Sequence, residues 1–439
     1  MLKKLLAISN STSIKRKIIR NVFWAVIGKV ITLFSTLIVG IFVARYLGPK
    51  QYGLMNYVIS IASLFTVFAT FGSSEIIIRE LSKKEKPKEV VLGSAMALRM
   101  GLAILCFISI VIYLFFSGET TETSTLILIY SSSIFFSCSE VIRFYFTSIV
   151  DNEYIVKSEI FRTIIGAIVK IILLFCKAPL IAFVFALAFD FLLLASGYIV
   201  VYRKKIGPIC QWNIDFKFVK TLLTTSFPLL ISSTAVIIYQ RIDQVMIAKM
   251  LDNEFVGYFS TAMSFVNVLA FIPITIMQTT SPILVEYWKN DKLKYEQESQ
   301  RIIGATTWLL IILCSIVALL SSPIINYTYG ASYTDAIPVL QILVFKVVGI
   351  AIINLSGQLI IIENIHQLAF IRNILSCVIC IICNYYFIPR WGIIGSAWAT
   401  IITVFFTGEV ANIFIPKYHH ILKKQNVALL LGWKYFLDK

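Results

Sequence analysis

The chain has 439 residues, 58% of them hydrophobic and 14% charged, with a formal net charge of +16 and a mean hydropathy of +0.85. Soluble domains run about 25% charged and about 45–50% apolar, so this composition excludes an ordinary soluble domain and points to a membrane protein. No nucleic-acid partner is expected, because the basic excess is explained by loops that face an anionic cytoplasmic leaflet.

The start, MLKKLLAISNSTSIKRKIIR, contains only Leu5–Ile8 as an apolar run, short of the roughly 7–15 residues of a signal peptide. Residues 1–20 read instead as a basic amphipathic cytoplasmic segment. Twelve stretches then meet the length of about 20 apolar residues that a crossing helix needs: 21–44, 54–78, 90–116, 125–149, 160–177, 180–202, 219–248, 256–280, 302–322, 336–362, 367–388 and 392–415. Lys and Arg outside the spans fall mostly on one side, 25 against 4. That bias places both termini in the cytoplasm. It divides the chain into an N-terminal six-helix bundle (21–202), a cytoplasmic linker (203–218), a C-terminal six-helix bundle (219–415) and a basic cytoplasmic tail (416–439).

Span one carries Lys29, about 12 Å into the helix at 1.5 Å per residue. The loop after it, ARYLGPKQYG, shares the pattern A-[RK]-x-L-x5-G with AKMLDNEFVG after span seven. An offset of six helices keeps the same direction across the membrane, so the halves read as parallel repeats, with a substrate site expected at their interface. Arg99 lies near the middle of span three. In span four Glu140 and Arg143 stand three residues apart and can pair along the helix, and Arg143 can also snorkel. Lys170 and Asp190 lie in spans five and six.

Span seven holds Pro228 and then IIYQRIDQVMI, where Arg241 and Asp243 sit two residues apart. At about 100° per residue they point to nearly opposite faces, so they are not a self-neutralised pair. Pro273 interrupts span eight, and Lys346 lies deep in span ten. The two prolines are either static bends or hinges for alternating access. In span eleven, CVICIIC (Cys377, Cys380, Cys383) resembles a metal motif but lacks a fourth ligand and a nearby histidine, so it reads as small buried hydrophobes. In span twelve, GIIGSAWAT carries Gly392/Ser396 and Gly395/Ala399, a small-residue pattern for close helix packing.

A charge at mid-membrane costs at least about 2.5–3.5 kcal/mol. These groups should therefore face a bundle interior or a wet cavity. Basic residues outnumber acidic ones among them, so such a cavity would attract anions, phosphate above all. Lys29, Arg99, Arg241 and Lys346 are the candidates for binding an anionic substrate. Asp190, Asp243, Glu140 and Arg143 are candidates for ion coupling or charge pairing.

No loop exceeds about twenty residues, so there is no room for a soluble catalytic domain. There is no GxxxxGK[ST] for ATP. His366, His419 and His420 all fall in cytoplasmic segments, leaving no intramembrane histidine relay. The largest outside loop, near 321–335, has Asp335 as its one ionisable residue. A non-enzyme without metal or cofactor is expected.

ARYLGPKQYGLMNYVIS, RELSKK, YQRIDQVMIAKMLDNEFVGYFSTA and IPRWGIIGSAWAT, in this order and spacing, resemble the bacterial polysaccharide repeat-unit flippases (Wzx-type) of the multidrug/oligosaccharidyl-lipid/polysaccharide exporter superfamily. The resemblance covers about Asn21 to Pro416. It implies an all-α, V-shaped alternating-access transporter of two six-helix bundles in the bacterial inner membrane. It implies translocation of undecaprenyl-pyrophosphate-linked oligosaccharide from the cytoplasmic to the periplasmic leaflet for O-antigen, capsule or similar lipopolysaccharide-type surface polymer. A cationic lumen and ion-gradient coupling are further implications. Membrane lipids and the pathway's polymerase and chain-length regulator are the implied partners. A multidrug exporter or a lipid II exporter of the same superfamily is the alternative, and a membrane polymerase is a more distant one.

Overall fold

A computed structural model of the protein describes residues 2–365 and 369–436, with side chains at 23–24, 26–365 and 370–434. His366 lies outside the described residues. Every regular element among them is helical, as expected where the bilayer core offers the backbone no partner but itself.

Nine described segments are long and apolar enough to cross a membrane. Two of them, Val26–Lys83 and Phe370–Ile413, are broken by glycines outside the helical region, Gly48 (φ 71°, ψ 170°) and Gly392 (φ 58°, ψ −140°). Each therefore holds two of the expected spans. The helix Glu153–Phe175 covers most of the expected stretch 160–177 but is not one of the nine.

The chain divides into two compact units, Met1–Val43 with Ile61–Thr234, and Ala44–Ser60 with Ala235–Lys439. Helices α1 (Leu2–Thr70) and α9 (Phe216–Met250) thus contribute to both. The first unit also contains α2 (Ser74–Lys83), α3 (Lys88–Phe116), α4 (Thr121–Ser131), α5 (Ser133–Ser137), α6 (Glu140–Ser148), α7 (Glu153–Phe175) and α8 (Leu180–Lys205). Helices α4 to α6 form one interrupted span. At its two breaks Ser132, Ser137 and Ser139 each turn a hydroxyl back onto the carbonyl three residues earlier, all at 2.7 Å, which competes with the helical ladder and bends it. One core of this unit joins Ile76, Ile77 and Leu81 of α2, Val91, Leu92, Ala95 and Leu98 of α3, Phe144 and Phe146 of α6, Tyr198 and Tyr202 of α8, and Phe218 and Leu222 at the start of α9.

Between α8 and α9, Asp215 accepts from the backbone N–H groups of Lys217 (2.9 Å) and Phe218 (3.2 Å) and pairs with Lys86 at 3.2 Å. The Phe218 N–H first, and then the Lys86 ammonium, hold its carboxyl below the usual range.

The second unit continues with α10 (Asn253–Leu269), α11 (Phe271–Asn290), α12 (Lys292–Leu319), α13 (Ser321–Thr328), α14 (Ala336–Leu343), α15 (Lys346–Ile362) and α16 (Ala369–Phe405). A π-helical turn (Phe406–Val410), α17 (Ala411–Ile413) and α18 (His419–Leu431) follow. The break between α10 and α11 falls at Ala270, three residues before Pro273, which has no N–H to give that turn. Pro228, by contrast, lies within a continuous α9.

The repeated loops meet within the second unit. A Cβ on Gly53 would overlap the Asn253 carbonyl oxygen, and one on Gly257 would overlap the Pro49 carbonyl oxygen. The closing glycine of each A-[RK]-x-L-x5-G copy is thus the point where one backbone crosses the other. Tyr333 fastens this crossing by donating its hydroxyl to the Ala44 carbonyl (2.7 Å), with the rings of Tyr52 and Tyr258 against its own.

Candidate functional site

In the first unit three intramembrane cations, Arg99, Arg143 and Lys170, are paired internally. Arg99 of α3 is 1% exposed. It donates to Ser73 (3.3 Å) and Ser74 (3.0 Å), pairs with Glu140 at 3.3 Å and stacks on the Phe144 ring. The expected pairing of Glu140 with Arg143 is therefore corrected. Arg143 turns to Glu159 of α7 (3.7 Å), which also accepts from the Tyr198 hydroxyl. A buried guanidinium keeps its charge and needs the carboxylate more than a half-exposed one does. Lys170 and Asp190 pair across α7 and α8 at 2.5 Å. Glycine at 166 makes room for that carboxylate, which a Cβ would strike. Lys29 is exposed on α1 and makes no ion pair among the described residues. Arg99, expected in a wet cavity, is locked inside a helix packing, so the four candidate cations have unequal access.

The second unit is built differently. Asp243 of α9 is 2% exposed, and among the described residues the hydrogen bonds to it come from neutral groups. Asn384 donates its amide to Oδ1 at 2.7 Å, Thr400 its hydroxyl to Oδ2 at 2.8 Å, and Cys380 its thiol to Oδ1 at 3.4 Å. Ser396 in turn donates to the Asn384 side-chain Oδ1 at 2.8 Å. One residue on, Gln244 accepts from Ser60. Arg241 is half-buried on another face of α9, so Asp243 is the member of the pair directed into the packed interior.

The donors to Asp243 come from both halves of α16. Residues 372, 376, 380 and 384 repeat every four positions and so share one face. They are Arg372, Ser376, Cys380 and Asn384. Beyond the Gly392 break, Ser396, Thr400 and Thr407 return alongside, with Thr407 donating to Ser376 at 2.6 Å. A polar column thus runs through an otherwise apolar unit. At one end Arg372 is 6% exposed, and its Nε and Nη1 have no hydrogen-bond acceptor. Lys346 begins α15, is 5% exposed, and has the Met263 sulfur at 3.8 Å. It makes no ion pair among the described residues but stands within electrostatic reach of Asp243.

Sequence reading singled out Asp243 and Lys346 but gave no weight to Arg372, Asn384 or Thr400, and it took Cys380 for a plain hydrophobe. The four-residue repeat of Arg372, Ser376, Cys380 and Asn384 was the available signal. Chemically, the arrangement offers a carboxylate that is costly to keep ionised and alone in a dry interior. Its neighbours present hydrogen-bond donors, and a proton or a small cation on the carboxylate would relieve that cost.

A family model described as polysaccharide biosynthesis protein matches residues 18–288. An uncharacterized membrane protein of Methanocaldococcus jannaschii is 23% identical over 95% of this chain and 88% of its own length. Among solved structures, the lipid II flippase MurJ in an inward closed conformation superposes with a TM-score of 0.69 at 19% identity, over 96% of this chain and 93% of that one. A multidrug resistance MATE family transporter in its inward-facing conformation gives a TM-score of 0.69 at 15% identity, over 90% and 96%. The fold expected from the resemblance, an all-α polytopic membrane transporter, is the fold these structures share.

Proposed function

Because the chain belongs to the polysaccharide biosynthesis protein family, we propose that it is a flippase for lipid-linked oligosaccharide repeat units. It takes undecaprenyl-pyrophosphate-linked sugars from the cytoplasmic to the periplasmic leaflet of a bacterial inner membrane, with both of its own termini cytoplasmic. The product feeds O-antigen or another surface polysaccharide. Lys29, Arg241 and Lys346 attract the pyrophosphate, while Arg99 fixes the helices around it. Pro228 and Pro273 are the hinge points of alternating access.

The observation that carries the mechanism is Asp243, buried among neutral donors. It supports coupling of transport to a proton or a small cation that enters and leaves this carboxylate. Asp190, already matched by Lys170 at 2.5 Å, is the weaker coupling group.

The test is reconstitution into liposomes with a fluorescent polyprenyl-pyrophosphate oligosaccharide in one leaflet. Wild type should translocate it under an imposed ion gradient, and Asp243→Asn should fall to background at equal protein level. Full transport by Asp243→Asn would remove the coupling role. A lipid II exporter is the second reading, supported by the likeness to the lipid II flippase. Lipid II moved faster than the oligosaccharide carrier would favour it.

A further inference from the structure

The last described helix, α18, does not stand free of the bundle. It runs parallel to α12, so that Lys424 meets Glu296 (2.8 Å) and Ser299 (2.9 Å) at one level while Gly432 packs on Gly304 farther along. Ser299 to Trp308 covers about 13 Å of helix rise. Over that distance α12 passes from the charged stretch KLKYEQESQR into its apolar part. The indole N–H of Trp308 donates to the carbonyls of Ala428 (3.1 Å) and Leu429 (3.2 Å). These lie in the last turn of α18, where the Gly432 N–H also bonds the Ala428 carbonyl. This contact ties the end of α18 to the part of α12 where its sequence becomes apolar.

The surface these helices share changes character along its length. At its polar end is a cavity of about 490 Å³, lined among others by Gln297, Gln300, His420, Lys423 and Val427. His420 is engaged by Glu363 (2.5 Å), and Lys424 by Glu296. Lys423 is exposed and has no ion pair among the described residues. Val427 and Leu430 follow Lys423 at the four- and seven-residue steps of one helix face. Leu430 is 73% exposed, with Leu431 and Trp433 also open beside it. A cation and the Gln297 amide therefore lead directly into an open apolar stripe, which is the pattern of an amphiphile with a negative head.

We propose that this groove is a binding site for an anionic glycerophospholipid. The phosphate rests on Lys423 with Gln297 as donor, the Gln300 amide being held on the Lys424 carbonyl (3.0 Å), and an acyl chain lies along Val427 and Leu430 toward Trp433. The site is independent of the transport reading, since it requires only that the chain sit in a bilayer.

The experiment uses the full chain in phosphatidylcholine nanodiscs in which one-tenth of the lipid carries brominated acyl chains, on either phosphatidylglycerol or phosphatidylcholine. The quenching of Trp433 is read as the difference between wild type and Trp433→Phe. Brominated phosphatidylglycerol should quench that component with about fivefold preference, the size expected of one lysine near an anionic head. Lys423→Gln should lower the preference to that of phosphatidylcholine, and Lys423→Arg should keep it. Equal quenching by the two lipids in wild type would overturn the site, as would a preference that survives Lys423→Gln. Displacement by added inorganic phosphate would overturn the lipid as occupant in favour of a soluble oxyanion.

Discussion

Arg99 and Arg372 are both buried guanidiniums in apolar helices, yet the two units treat them in opposite ways. Arg99 has a carboxylate, two serine hydroxyls and a phenyl ring around it. Arg372 keeps two nitrogens without an acceptor. The contrast extends to the other charges. The first unit pairs Lys170 with Asp190 and Arg143 with Glu159, whereas the second surrounds Asp243 with neutral donors and leaves Lys346 beside a thioether. Paired charges hold a structure still. A buried charge without an ionic partner is costly at rest and is retained where something binds or changes state. The first unit is thus built as a frame and the second as the responsive part.

The sharpest way to break this contrast is to replace both arginines by methionine. Arg99→Met should cost about 3–5 kcal/mol, because Glu140 and two hydroxyls lose their partner. Arg372→Met should cost nothing, or add about 1–4 kcal/mol of stability. Thermal unfolding in detergent reads both, and equal losses would erase the distinction. Next in size, Lys170→Met should cost about 3 kcal/mol by stranding Asp190, and adding Asp190→Leu should recover most of it. An unrecovered double variant would mean that the pair does more than neutralise. Arg143 is half-exposed, so Glu159→Gln should cost only about 0.2–1 kcal/mol, and a larger loss would place that pair in the frame.

The smallest effect belongs to Asp215, outside the apolar helices. Its carboxyl lies below the ordinary range through the Phe218 N–H and Lys86. It therefore adds stability that is complete above the unfolded value of about 3.9 and is lost as pH falls through the folded value. An acid titration of Asp215→Asn, followed by unfolding temperature, should lack that component of the fall.

Much of the frame could be read from the sequence. Spans follow from apolar length, and the repeated loop located the glycines at which the chain crosses itself. The Lys170–Asp190 pair was within reach too, since a tight turn near Ala178–Pro179 sets the two residues nearly opposite on adjacent helices. Partners across non-sequential helices were not. Glu140 has Arg143 three residues away, and only packing reveals that Arg99, from another helix, takes it. The Asp243 site shows the same limit. Its donors are a thiol, an amide and a hydroxyl, which carry no charge to betray them in an apolar run. Arg372 lies only a few residues inside its span, where an arginine can pass for an end charge.

The crossing of the two glycine loops has a consequence for how the chain is made. Residues 44–60 belong with a unit whose remaining residues begin at Ala235. At about 5–20 residues per second, that segment waits on the order of 10–40 s for Gly257 to be synthesised after Gly53. During that interval the Tyr52 ring and the groove at Gly53 have no native neighbour. A nascent chain stalled near Thr234 would have a finished core in its first unit and an open seam at Gly53. Biogenesis, rather than the completed fold, is then the stage at which this membrane protein most needs protection from unintended helix partners.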